Sequence, residues 1–151
     1  MEQSSVKTIK EINIGNYAKY TKTITEADVY QYAGIIGDFN PIRVNEEFAK
    51  KTPFKKRLAH GLLYASFISK IIGTDFPGPG SIHVAQEMNW AKYAYIGDTI
   101  TTKIIVTKID GKKNRVWIDV ECTNQDGEII LTGEGEIMPP TEEMKGALEL
   151  E

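Results

Sequence analysis

The stretch "HGLLYASFISKII", residues 60–72, carries apolar side chains at Leu62, Leu63, Ala65, Ile68, Ile71 and Ile72 and leaves hardly a polar face. That pattern predicts a helix enclosed on nearly all sides. What encloses it is legible downstream of the breaker run "GTDFPGPG" (73–80), where the period changes. Ile82, Val84, Gln86, Met88 and Trp90 alternate with His83, Ala85, Glu87 and Asn89, which predicts a strand with one face inward. Thr99 to Ile109 is rich in β-branched residues, and "DGKK" (110–113) is a hairpin signal into Val116, Ile118 and Val120. A second turn, "NQDG" (124–127), leads into Glu128 to Met138, so this half reads as an antiparallel meander. An earlier strand near Tyr17 to Ile24 completes the set. The simplest packing is an α+β hot dog, a curved antiparallel sheet wrapped around one buried helix.

Between the first strand and that helix, Thr25 and Asp28 form a capping pair for a helix with Val29, Tyr32, Ala33 and Ile36 on one face, ending at Gly37. Gly37 to Arg43 reads as a loop, and Asn45 caps a short helix through Lys51 that Pro53 stops. The organisation expected is an N-terminal extension (1–16), one folded domain (17–139) and a C-terminal tail (140–151). The first dozen residues and the tail after Pro139-Pro140 are the candidates for disorder.

At 151 residues, with 41% hydrophobic and 26% charged residues, the chain has the size and composition of one globular domain. A net charge of −3 gives no basic excess to bind nucleic acid or an anionic membrane surface. Cys122 is the only cysteine, so no intrachain disulfide can form. Residues 1–20 lack an apolar signal core, and no stretch is long and apolar enough to span a membrane, which makes the cytoplasm the expected location. Two separated histidines without clustered carboxylates predict no metal site. The "PGPG" run lacks the Lys-Ser/Thr ending of a phosphate loop and leads into a strand.

The segment from Gly34 to Gly73 resembles the MaoC-like (R)-specific enoyl-CoA hydratase and dehydratase family, whose signature is a G-D-x-N-P-x-H loop followed by an A-H-G helix start. Gly37, Asp38, Asn40 and Pro41 match the loop, and Ala59, His60 and Gly61 match the helix start. "PGPGS" (77–81) and Gly97-Asp98 match the family's later elements, so the resemblance spans roughly Thr21 to Pro139. It implies reversible hydration of trans-2-enoyl thioesters of CoA or acyl carrier protein to (R)-3-hydroxyacyl thioesters, with no cofactor and with a homodimer joined at sheet edges. It implies that Asp38 holds and activates water and that the Gly61 amide polarises the thioester oxygen. Asn40, His60 and Ser69 fall at accessory positions, whereas Gln86, inward by parity on an otherwise apolar strand, reads as substrate-lining or as a merely satisfied polar side chain.

One position departs from the signature: Arg43 stands where the family's catalytic histidine is expected. A guanidinium keeps its proton at neutral pH and cannot cycle as acid and base. Arg43 is read as a solvated or Asp38-paired cation, or as a charge that binds a phosphate or carboxylate. Asp38 also has a purely local reading, a turn residue satisfying loop amides, and Ser69 another, a helix serine bonded to its own preceding turn. Two further functions stay open, an acyl-CoA-binding module without turnover and an acyl-CoA thioesterase. Tight binding without hydration marks the first, release of free thiol the second.

Overall fold

In a computed structural model, residues 6–149 are described. Six strands form one antiparallel sheet: β1 (Tyr17–Thr23), β2 (Ile82–Gln86), β3 (Asn89–Trp90), β4 (Thr99–Asp110), β5 (Arg115–Thr123) and β6 (Ile129–Met138). They run in the order β1-β4-β5-β6-β2, with β3 also paired to β6. The two predicted turns are locked by their first residues. Asp110 Oδ1 accepts from the Lys112 and Lys113 amides, and Asn124 Oδ1 accepts from those of Asp126 and Glu128. Strict alternation buries Ile100, Thr102, Ile104 and Val106 on β4, and Val116, Ile118, Val120 and Cys122 on β5.

That inner face closes on α4 (Gly61–Ala65), α5 (Phe67–Lys70) and a π-turn over Ile71–Asp75, through Leu63, Tyr64, Phe67, Ile68, Ile71 and Ile72. The hot-dog packing is therefore present, but the central helix is not the single uninterrupted element that its apolar pattern predicts. The Ser66 hydroxyl donates to Leu62 O at 2.6 Å, and the Ser66 amide is shared between Leu62 O and Leu63 O. A serine bonding back onto its own turn competes with the backbone ladder and breaks the helix there. Leu62, Ser66, Ser69 and Lys70 face outward, so the helix also has an open side.

Three further expectations are corrected. The loop after α1 (Glu26–Ile36) ends at Asn40, because Asn40 Oδ1 accepts from the Ile42 amide and Pro41 starts α2 (Pro41–Val44). α3 (Glu46–Lys50) follows, capped by Asn45 as expected. The single strand expected over 82–90 is two pieces, with a register shift between His83 and Ala85. Its apolar face is not inward: Ile82 is 50% and Val84 45% exposed, because β2 is the sheet's edge. Lastly, the described parts of both terminal segments, 6–16 and 140–149, pack on the domain, while residues 1–5 and 150–151 lie outside the described residues. Thr8 and Ile12 are buried, and the Lys7 amide donates to Pro77 O. Thr8 Oγ1 donates to Glu142, and Lys145 pairs with Glu11, which docks α6 (Glu142–Leu148) against the N-terminal segment. A capping box at Thr8 and Glu11, carrying few apolar residues, is a weak signal in sequence.

Candidate active site

α1 delivers the chain into the Asp38 loop, and α2 turns it back. Asp38 Oδ1 accepts from the Asn40 amide at 3.0 Å, an Asx turn that uses half of the carboxylate. The other oxygen, Oδ2, lies 3.8 Å from His60 Nε2, and the side chain is 43% exposed, so it opens to a cavity without being sealed from water. The Asp38 main-chain oxygen is 3.0 Å from the same His60 nitrogen. His60 itself is 2% exposed, lies edge-on to Tyr32 and has no partner for Nδ1. Its geometry is that of a brace between the helix start and the Asp38 loop. Asn40 is likewise spent on capping α2.

Arg43 does not pair with Asp38. Its Nη1 donates to Ala59 O at 2.6 Å, Nε is buried without a partner, and no ion pair with any carboxylate exists among the described residues. The strand-like segment it grips is held on both sides: Leu58 N donates to Ile42 O, and Ala59 N to Ala94 O at 2.8 Å. Gly61 follows directly and opens α4. Its N–H has no acceptor among the described residues, as expected for a first-turn amide. Its carbonyl accepts from Trp90 Nε1 at 3.2 Å, and a Cβ at this position would sit 2.7 Å from that nitrogen. Only glycine fits beneath the indole as placed.

Asp38, Arg43, His60 and Gly61 thus line one cavity of about 290 Å³, shared with Tyr64, Trp90 and Tyr93. Tyr64 was not singled out by the sequence. It is 2% exposed, its hydroxyl has no hydrogen-bond partner among the described residues, and burial pushes it up to about 12, with Arg43's charge opposing the shift. The available signal was a tyrosine on the helix's buried side, where a phenol needs a polar neighbour.

Ser69 and Gln86 stand elsewhere, in an adjoining recess of about 210 Å³ with Tyr32, His83 and Met88. Leu62 borders both spaces. The register shift in β2 brings His83 beside Gln86 despite their opposite parity, with His83 Nε2 and Gln86 Oε1 2.9 Å apart. Gln86 Nε2 donates to Glu87 O. Gly133 and Gly135 on β6 make room, since a Cβ would meet Glu87 O at 2.0 Å and Gln86 Oε1 at 2.5 Å respectively. Ser69 is exposed, and it is Ser66 that makes the back-bond expected of a helix serine.

A family model described as "MaoC like domain" matches residues 8–126. The chain belongs to the MaoC-like family. Over 131 residues it is 42% identical to an (R)-specific enoyl-CoA hydratase of Rhodospirillum rubrum, covering 87% of this chain and 90% of that protein. A 3-hydroxybutyryl-CoA dehydratase of Methylorubrum extorquens is 36% identical over 89% of this chain and 85% of its own length. Among solved structures, the unliganded (R)-hydratase of Pseudomonas aeruginosa superposes with a TM-score of 0.86 at 36% identity, covering 89% of this chain and 86% of that one.

In this MaoC-like chain the polar groups divide by what is left free to act. Asn40 and His60 are committed to holding the loop, whereas the Asp38 Oδ2 oxygen, the Gly61 amide and the Arg43 and Tyr64 donors face the cavity with capacity to spare. No group of three or more His, Cys, Asp or Glu suited to a metal occurs among the described residues. Cys122 is buried, and that burial pushes its thiol up, away from the reactive thiolate.

Proposed function

We infer that the chain adds water reversibly across the double bond of a trans-2-enoyl thioester to give the (R)-3-hydroxyacyl thioester. The observation that carries this reading is a single cavity holding a free carboxylate oxygen, Asp38 Oδ2, and an unpartnered amide, Gly61 N–H, in a chain whose relatives are named as enoyl-CoA hydratases and hydroxyacyl dehydratases. Asp38 takes a proton from water as the water oxygen bonds to Cβ. The π electrons move toward the thioester oxygen, where the Gly61 amide stabilises the developing charge. Cα then takes the proton from Asp38, which restores the carboxylate. With Arg43 unable to exchange protons, Asp38 serves both steps, and the slower proton transfer sets the rate. The chemistry asks for no metal or cofactor, and the thioester's carrier is CoA or acyl carrier protein. A cytoplasmic location is part of the same proposal.

Crotonyl-CoA is the first assay: loss of the conjugated enoyl absorbance with formation of (R)-3-hydroxybutyryl-CoA is the expected result. Release of free CoA thiol without hydration would point to a thioesterase instead. Arg43 is the observation that favours a second reading, an acyl-thioester-binding module, and binding without any turnover would select it.

The working unit is a homodimer joined along β2. That strand presents unpaired backbone and half-exposed Ile82 and Val84, with Trp90 of β3 44% exposed nearby, an edge that soluble proteins cover. Light scattering at micromolar concentration is expected to give twice the chain mass or more. A monomer would defeat this assembly.

A further inference from the structure

The cavity contains more hydrogen-bond donors than its hydration chemistry uses. Arg43 spends only Nη1 on a neutral carbonyl, Ala59 O. The other side of the guanidinium, the Nε–Nη2 edge, has no partner among the described residues, and Nε is fully buried. An unpaired buried cationic donor is costly, and proteins normally satisfy it with a carboxylate. None is supplied here: Asp38 shares the cavity yet forms no ion pair with Arg43. Tyr64, three residues beyond Gly61 on α4, presents a second unpartnered donor to the same space.

We propose that Arg43 and Tyr64 recognise a carboxylate on the acyl chain, so that the preferred ligand is an acyl thioester whose short chain ends in a carboxylate. The Arg43 Nη2 group, without a partner among the described residues, offers a charged donor to one carboxylate oxygen, and the Tyr64 hydroxyl offers a second donor. The guanidinium's orientation is fixed in advance by the bond to Ala59 O. The Tyr64 phenol, pushed up to about 12 by burial, keeps its proton at neutral pH and so has an O–H to donate to a carboxylate. A cavity of about 290 Å³ has room for a short acyl chain ending in a carboxylate. The placement also fits the reaction. Arg43 and Asp38 line the same cavity, so one short acyl chain can present its carboxylate to Arg43 and its Cβ to the water held by Asp38. This substrate assignment rests on the hydratase reading, but the recognition site does not.

The test compares the dissociation constants of succinyl-CoA and butyryl-CoA by titration calorimetry, together with hydration of enoyl-CoAs that carry or lack the terminal carboxylate. The two saturated probes match in chain length and carry the same CoA, so contacts outside the acyl end cancel. The parent is expected to bind succinyl-CoA roughly 10- to 100-fold more tightly, the range of a charge-assisted hydrogen-bonded pair. Arg43→Met should bring the ratio to one or below. Tyr64→Phe, which keeps the packing volume, should lower it about 3- to 10-fold. Equal binding of the two probes by the parent would overturn the proposal, as would a preference that survives Arg43→Met. A strong succinyl preference with neither enoyl-CoA hydrated would keep the carboxylate site and remove the hydratase reading.

Discussion

Asp38→Ala is expected to lower enoyl-thioester hydration by about 10²- to 10⁴-fold, the usual loss when a general acid or base is removed, while the protein stays folded. The loss should be at the upper end because Asp38 has no understudy. His60 is braced against the Asp38 main-chain oxygen, and Arg43 cannot exchange protons. The fold should survive because only the Asx-turn bond to the Asn40 amide is lost from a partly exposed side chain, about 0.5–1.5 kcal/mol. The His60 brace reaches the main chain and is untouched by the substitution. Asp38→Asn separates the two roles, since the amide oxygen still accepts from Asn40 but cannot take a proton. Both variants should lose turnover together, with Asp38→Asn closer to the parent in melting temperature. If Asp38→Ala hydrates crotonyl-CoA as fast as the parent, the site is misplaced.

The asymmetry between Asp38 and its neighbours also explains how much of the site was legible in the sequence. Asp38 and Arg43 are placed by short elements whose stop and start are written in capping residues, Gly37 after α1 and Asn40 before α2, and His60 and Gly61 by the start of α4, which the Arg43–Ala59 and His60–Asp38 bonds tie to them. Local signals fix these positions, so sequence spacing carries over into space. Ser69 and Gln86 are different. Their location depends on Ser66 breaking the helix and on a register shift in an edge strand, and neither leaves a periodic trace. Parity alone put Ile82 and Val84 inward, yet parity cannot tell a core face from an exposed face of an edge strand. Tyr64 was hidden for the opposite reason. On a helix this apolar, a tyrosine reads as packing, and only the cavity beside Arg43 gives its hydroxyl something to do.

The same reasoning makes position 43 the most informative place to alter the enzyme. Arg43→His would put a group with a pKa near 6.5, about the ordinary value for histidine, one helical turn beyond Asn40 and beside the cavity that Asp38 faces. A second proton carrier then relieves Asp38 of serving both steps, so hydration of crotonyl-CoA is expected to rise by roughly 10- to 10³-fold. The gain has an accompanying loss. The bond to Ala59 O and the charged Nη2 donor disappear with the guanidinium, so any preference for a carboxylate-bearing chain should fall as crotonyl-CoA turnover rises. Opposite movement of the two quantities in one variant is hard to produce by general damage to the fold, which would lower both. A parent rate that is already high, and unchanged by the substitution, would show that the arginine is no impediment and would turn attention to His60 as the proton carrier. No detectable hydration by either protein, with acyl-CoA still bound, would remove the hydratase reading and leave an acyl-thioester-binding module, because a restored proton carrier would have had no reaction to serve.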